Sequence, residues 1–415
     1  MSLKELAINR GNPVRVKPFP KWPIFTEKDK KDLVAVLDDG RLTAITGPKV
    51  KEFEDKYASV FKSKYALATC NGVTAIHLAL VTLDVGPGDE VIVPAHTFIG
   101  TAIPVLMQNA IPVFVDIDPE TFNINPAKIE EAITSRTKAI IPVHLNGLPA
   151  EMDKIQKIAN KHNLKVVVDA CQAHGAKYKN KLVGTIGDIT CFSFFEDKVL
   201  TTGEGGILLT NNEEYFEIAR CARSYGEEVI KDITERKYES IRLGFNYRMG
   251  SLNAVLGINQ LDRMEEMIEK RRKNAAYLRE KLSIVPGIIP PRDFDYVKHV
   301  YYKFVCKIDP NIVKTDVLTF VDSVKAEGVP ITPRYPLPLP LQKIFKEKSG
   351  YGKTHCPYDC DKYGLEPAFM HGYWPEAERV GKEAFVLLVH PTINEEDLDD
   401  VVAAVSKVAK AYRTE

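Results

Sequence analysis

The feature that most constrains this chain is a regular alternation of short apolar runs and helical segments between residues 65 and 194. Tyr65 to Cys70 reads as a buried strand, Ala75 to Leu83 as an apolar helix, and Glu90 to Val93 as the next strand. A helix over about Thr101 to Asn109 and a strand Ile111 to Val115 follow, then a helix that places Pro126 in its first turn and runs to Ile133. Strand Ala139 to Val143, helix Met152 to His162, and strands Lys165 to Val168 and Ile189 to Phe194 complete the series. Strands alternating with helices across short turns predict an α/β fold, a mostly parallel sheet with helices on both faces. In such sheets ligands bind beyond the carboxyl ends of the strands, so those ends are where chemistry is expected.

The flanks read differently. Pro13, Pro18, Pro20 and Pro23 make residues 1–25 an extended arm. Thr26 is the expected N-cap of a helix with Leu33, Val34 and Leu37 as its apolar face, ending near Gly40, and a second helix carries Phe53, Tyr57 and Phe61. A large domain is expected over residues 26–252. From 253 to 415 the chain predicts a long charged helix to Leu282 and a smaller α+β domain. Its parts are strand Tyr301 to Ile308, helix Asp316 to Glu327, a Pro-rich loop Pro330 to Pro340, strand Ala384 to Val389 and helix Asp397 to Tyr412. At 415 residues a second, smaller domain is in keeping with the length.

Charge and cysteines exclude some functions. Lys plus Arg and Asp plus Glu are equal at 56 each, which gives no support to nucleic-acid or anionic-membrane binding. No apolar run approaches the roughly 20 residues of a membrane span, and Met1 to Arg15 holds no secretory h-region, so a cytoplasmic protein is expected. Seven scattered cysteines fit reduced thiols. His355, Cys356 and Cys360 resemble half a metal site, but with no second cluster nearby they read as a loop with incidental thiols, and no metal is expected.

The run Phe192-Ser193-Phe194-Phe195-Glu196-Asp197-Lys198 delivers a lysine just past a core strand, followed by Gly203, Gly205 and Gly206. Partial burial disfavours its ammonium form, and a neutral amine can form a Schiff base with an aldehyde cofactor such as pyridoxal phosphate (PLP). The glycines would make room for that cofactor. Taken alone, a solvated lysine in a Gly-rich turn explains the run better. Three further strand ends change the balance. Asn71-Gly72-Val73-Thr74 opens a helix, whose free N–H groups and dipole suit a phosphate, with Thr74 able to add a hydroxyl; an ordinary N-capped helix is the plainer alternative. Asp169 emerges from Val166-Val167-Val168, where a carboxylate needs a cationic partner such as a pyridinium nitrogen, unless it merely caps the next helix. Gln172 is placed to hydrogen-bond the ring's phenolic oxygen, whereas His174 reads as structural. Phe98 follows another core strand and could stack on a planar ring, though such an aromatic is more often core.

Joined in this order, these blocks resemble the DegT/StrS-type sugar aminotransferases, PLP enzymes of the aspartate-aminotransferase fold. The resemblance includes Gly47-Pro48, Asn71-Gly72, Pro94 to Phe98, Val115 to Asp118, Val143 to Gly147, Asp169 to Gly175, Phe192 to Phe194 with Lys198, Gly203 to Gly206, Asn246 to Met249 and Pro391-Thr392. It implies a seven-stranded large-domain sheet, PLP on Lys198, Asp169 at the pyridine nitrogen, Gln172 at the phenolic oxygen and Phe98 on the ring. It also implies phosphate contacts from Gly72, Val73 and Ser193, and Asn246 reaching the cofactor of a neighbouring subunit, hence a homodimer with shared active sites. The implied reaction is ping-pong transamination from Glu or Gln to a nucleotide-linked keto-sugar or a keto-cyclitol, with Lys198 as general base and acid.

Leu6 to Arg15 and Val199 to Gly206 are similar to the keto-cyclitol (inosose) branch, and the loop Tyr335 to Leu341 beside Arg334 is a candidate lining for the acceptor pocket. Two departures stand out. Val73 occupies a position where the family carries Thr or Ser, and Glu196-Asp197 sets two acids before the lysine, which would favour the ammonium form unless they point away. Alternatives are a PLP-binding regulatory sensor, a dehydratase of the same family, and a PLP racemase or lyase. Lys198, where dehydratases carry His, speaks against the dehydratase, and no DNA-binding domain precedes the sheet.

Overall fold

The computed structural model describes residues 2–228, 238–359 and 373–413. Seven strands form the main sheet: β1 (Tyr65–Thr69), β2 (Glu90–Pro94), β3 (Ile111–Val115), β4 (Thr137–Ile140), β5 (Lys165–Asp169), β6 (Ile189–Ser193) and β7 (Gly206–Thr210). Their order is β1-β7-β6-β5-β4-β2-β3. β7 runs antiparallel to both its neighbours, and the remaining pairs are parallel. The strands are buried along almost their whole length, as expected of a sheet covered on both faces. Two apolar clusters, one on each face, sandwich it.

A second sheet of β8 (Ile288–Ile289), β9 (Phe304–Ile308), β10 (Ile331–Pro333) and β11 (Ala384–Leu387) has the order β8-β9-β11-β10. Its core is a third cluster that includes Phe304, Phe320, Phe385 and Val405. The N-terminal arm belongs to this cluster through Leu6, and Arg15 ties it down with ion pairs to Asp397 at 2.8 Å and Asp400 at 2.7 Å. The arm is not wholly extended, for 3-10 turns occupy Leu3–Glu5 and Ala7–Asn9.

Helix α1 (Glu27–Asp39) starts where expected. The Thr26 side chain accepts the Asp29 N–H in a reciprocal capping box, and Gly40 ends the helix at φ 72°. Its expected apolar face is corrected. Val34 and Leu37 are 55% and 57% exposed, and the buried residues are Val36 and Asp29. The neighbouring helix Ser251–Asp262 and the residue after it hold α1 by polar contacts. Asn259 donates to Asp32 at 2.9 Å and Arg263 pairs with Asp29 at 2.9 Å, so the polar side turns inward.

Other segments also differ. Pro126 to Ile133 forms two 3-10 turns, Pro126–Lys128 and Glu130–Ala132, because so short a segment gains few i→i+4 bonds. The helix expected over Thr101 to Asn109 is a 3-10 turn, Ile99–Thr101, and a short α-helix, Ile103–Met107. The long helix breaks into Ser251–Asp262 and Met264–Leu282 at Arg263, whose ψ of 0° leaves the helical range. The Pro-rich loop contains β10, tolerated because Pro333 lies on a sheet edge. Cys360 lies outside the described residues, so the Cys356/Cys360 pair does as well.

Candidate active site

The carboxyl ends of β1, β5 and β6 converge on one corner. At the first, Asn71 caps the helix Gly72–Thr82. Its side chain accepts the Thr74 N–H at 2.9 Å, and its carbonyl takes the Ala75 N–H at 3.2 Å and the Thr74 hydroxyl at 2.8 Å. The N–H groups of Gly72 and Val73, first in the helix, are thus the donors left for a ligand. A Cβ on Gly72 would sit 2.7 Å from the Ser193 Cβ and 2.9 Å from the Cys171 sulfur, so only glycine fits between these two strand ends. The Thr74 hydroxyl, expected to replace the one Val73 lacks, is held inside the capping box.

Asp169 ends β5 and is 5% exposed. Its two oxygens accept from the Thr101 hydroxyl at 2.8 Å and the Cys171 N–H at 3.0 Å. Both donors are neutral, so this carboxylate fits a cationic partner that the protein itself does not supply. Gln172 is buried beside it. Its carbonyl oxygen accepts from the Asn146 N–H and from Arg334, each at 2.8 Å, which turns its NH2 group outward toward the Tyr335 hydroxyl at 3.4 Å. The Arg334–Tyr335 segment comes from the end of β10 and is anchored to the main sheet by the Leu339 N–H to Ala95 O bond at 2.8 Å. Phe98 is 54% exposed, too open for a core residue, and its ring lies 6.5 Å from that of Tyr335.

Lys198 stands past β6, its N–H bonded to Phe195 O at 3.0 Å. Its amine donates to the Tyr302 hydroxyl at 3.2 Å. Burial pulls the amine below the ordinary lysine range, with Asp197 and Cys171 pulling the other way and Arg334 and Lys303 adding to the fall. The two acids before it part ways. Glu196 is exposed, whereas Asp197 accepts from the Tyr302 hydroxyl at 2.7 and 2.9 Å and from Lys303 at 2.8 Å. Burial works against the Asp197 charge, but Lys303, Lys198 and Tyr302 outweigh it and hold its carboxyl below the usual range. Cys171 connects the two halves. Burial and then Asp169 push its thiol up, while Lys198 pulls it down.

His174 proves structural, as the sequence suggested. It bonds the Tyr57 hydroxyl at 2.9 Å and the Ser193 carbonyl at 2.7 Å, and burial lowers it to about 4. Of the glycines after Lys198, Gly203 has open space where a Cβ would stand, whereas Gly205 and Gly206 are packed against the protein. A Cβ on Gly206 would lie 2.2 Å from Asn71 O and one on Gly205 2.7 Å from Met249, so both let the protein pack on itself. Ser193 is 8% exposed, its hydroxyl accepting the Phe195 N–H at 3.3 Å. Asn246 is exposed on the rim, next to Tyr247, whose carbonyl takes the Cys70 N–H at 2.8 Å. Sequence reasoning missed Thr101, Asn146, Tyr302 and Lys303. The adjacent Tyr302-Lys303 pair before a core strand was a visible signal, but its partner Asp197 lies 105 residues away.

The model of the DegT/DnrJ/EryC1/StrS aminotransferase family matches residues 23–406. The chain belongs to that family. It is therefore a PLP-dependent aminotransferase, and the corner built by Asp169, Lys198 and the Gly72 turn fits that group: an uncompensated carboxylate, a half-buried amine and a glycine-lined helix start. GDP-perosamine synthase of Caulobacter vibrioides is 35% identical, over 92% of this chain and 95% of that one. L-glutamine:2-deoxy-scyllo-inosose aminotransferase of Streptoalloteichus tenebrarius is 33% identical, over 98% of each. A PLP-form structure of the Streptococcus pneumoniae putative sugar aminotransferase Spr1654 superposes with a TM-score of 0.83 at 25% identity, covering 96% of this aminotransferase and 100% of that chain. Among the described residues no helix is long and apolar enough to cross a membrane.

Proposed function

We propose that this aminotransferase moves an amino group from Glu or Gln to a ketone on a polyhydroxylated ring, a keto-cyclitol or a nucleotide-linked keto-sugar. When bound, PLP withdraws electrons from the carbon that bears the amino group. Lys198 holds the cofactor and, once free, moves a proton at that carbon as base and then as acid. Its lowered proton affinity suits both roles. Asp169 pairs with the ring nitrogen, Gln172 offers its NH2 group to the phenolic oxygen, and Phe98 covers one face. The Gly72 and Val73 N–H groups and Ser193 take the phosphate. The Arg334–Tyr335 segment borders the acceptor.

The observation that carries the assignment is the buried Asp169 without a cation, at the same corner as a half-buried lysine. Similarity to enzymes named for an inosose and for a GDP-sugar supports the acceptor class. A homodimer completes the reading, with Asn246 reaching the partner's phosphate. The exposed Val34, Leu37, Ile24 and Phe25 give it an apolar surface to cover. We place the enzyme in the cytoplasm, where its described cysteines, all free, stay reduced. Assaying amino transfer from Glu and from Gln to a panel of ketoses and inososes tests the substrate. Turnover of simple α-keto acids alone would refute a polyol acceptor.

A further inference from the structure

We propose that Tyr302 is the resting place of the free Lys198 amine, and that the Asp197–Lys303 ion pair sets how readily that amine holds a proton. The argument starts from donors and acceptors. The Asp197 carboxylate accepts only, and both its oxygens lie within 2.9 Å of the Tyr302 hydroxyl. The one phenolic proton therefore points at Asp197. Burial, reinforced by Asp197, pushes this phenol well above its ordinary range, so it keeps that proton. The Tyr302 oxygen then faces Lys198, 3.2 Å away, with lone pairs alone, and the amine must donate to it. A donor hydrogen fixed on Tyr302 leaves the remaining valences of the nitrogen aimed elsewhere. The residue thereby orients the amine whether it carries two hydrogens or three.

Charge balance gives the second half. Lys198 faces Asp197, Cys171, Arg334 and Lys303, with Tyr302 in contact and His174 nearby. Of these only Asp197 is an acid that is ionised at neutral pH. Its charge favours the ammonium, against burial and Arg334. Lys303, at 2.8 Å from Asp197 and 23% exposed, offsets it. Lys303 enters from the residue before β9, so the small-domain side of the molecule supplies the balancing charge. This resolves the conflict that the acid before Lys198 poses on sequence alone. Tyr302, Asp197 and Lys303 are positioning residues, acting through Lys198.

The inference rests on Lys198 being the amine that holds the cofactor, and the test keeps the two apart. Full-length holoenzyme is compared with Tyr302→Phe, Lys303→Met, Lys303→Arg and Lys198→Ala, with thermal unfolding run on each. Lys303→Met leaves Asp197 uncompensated. The pH midpoint of the bound cofactor's visible band should rise by about one unit. In the apoenzyme, the midpoint for acetylation of Lys198, read by peptide mass, should rise likewise. Lys303→Arg should restore both midpoints. Tyr302→Phe should lower kcat about tenfold or more while KM for the amino donor changes less than about threefold. The two variants carry the test separately, so misfolding of one leaves the other. Unshifted midpoints in folded Lys303→Met, or parent turnover in folded Tyr302→Phe, overturn the inference. If Lys198→Ala keeps the visible band, the assignment of Lys198 falls instead.

Discussion

Two polar corners at the end of the same strands behave in opposite ways. At His174 each ring nitrogen meets a partner within the protein, and aromatic rings of Tyr57, Phe192 and Phe194 close around it. At Asp169 and Lys198 the carboxylate is buried and the lysine half-buried, and both are incompletely matched. The carboxylate has only neutral donors, the amine has only a tyrosine oxygen, and the first N–H groups of the helix Gly72–Thr82 take part in no intrahelical bond. A closed corner stabilises the fold; an open one waits for a ligand. Chain position alone does not separate them, since Asp169 ends β5 and His174 follows in the turn just after it.

The contrast can be broken most forcefully at Lys198. Lys198→Ala should abolish the visible band and lower transamination by about 10^4-fold or more, measured by absorbance and by turnover under saturating donor. Asp169→Asn keeps the shape and removes the charge. It should lower kcat by roughly 10^2- to 10^4-fold with a smaller change in Tm. Gly72→Ala forces a methyl against Ser193 and Cys171. It should weaken PLP binding about tenfold or more in a cofactor titration, with the far-UV spectrum preserved. His174→Gln should do the reverse. It should cost about 1–3 kcal/mol of stability in denaturant unfolding, while kcat of the folded fraction stays within about threefold.

A pH experiment sharpens the same comparison. Burial lowers His96, His144 and His299 to about 3 and His77, His174 and His390 to about 4. Their folded affinities for protons lie below the unfolded value, so the unfolded chain binds more protons below about pH 6.5. Their stabilising contribution is complete above that pH and falls as pH drops toward 4 and 3. By pH 5.5 the loss should be about 1 kcal/mol per histidine, read as a falling Tm.

The sequence made the sheet legible because buried parallel strands are short apolar runs between turns, and six of the seven stand within a few residues of their expected places, while the antiparallel β7 (Gly206–Thr210) was not foreseen. Lys198, Asp169, Gln172 and Phe98 come forward as candidates for the same reason, each lying just past such a run. What lay hidden depends on contacts remote in sequence. The Tyr302–Asp197–Lys303 network joins residues 105 and 106 positions apart, and Thr101 reaches Asp169 across 68. The inward face of α1 was misread because polar contacts to Asn259 and Arg263, not apolar spacing, decide it. The engagement of the Thr74 hydroxyl by the Asn71 backbone in the capping box depends on local geometry that the residue order does not display.

The central claim is that Lys198, and no other amine, carries the cofactor. Borohydride fixes PLP onto the lysine that holds it, and peptide mass mapping then locates the mark. Lys303 makes the test stringent, since it shares Asp197 and the Tyr302 ring with Lys198. The account predicts a single pyridoxyl mark on the peptide that contains Lys198. A mark on Lys303, or on any lysine outside this corner, would contradict it.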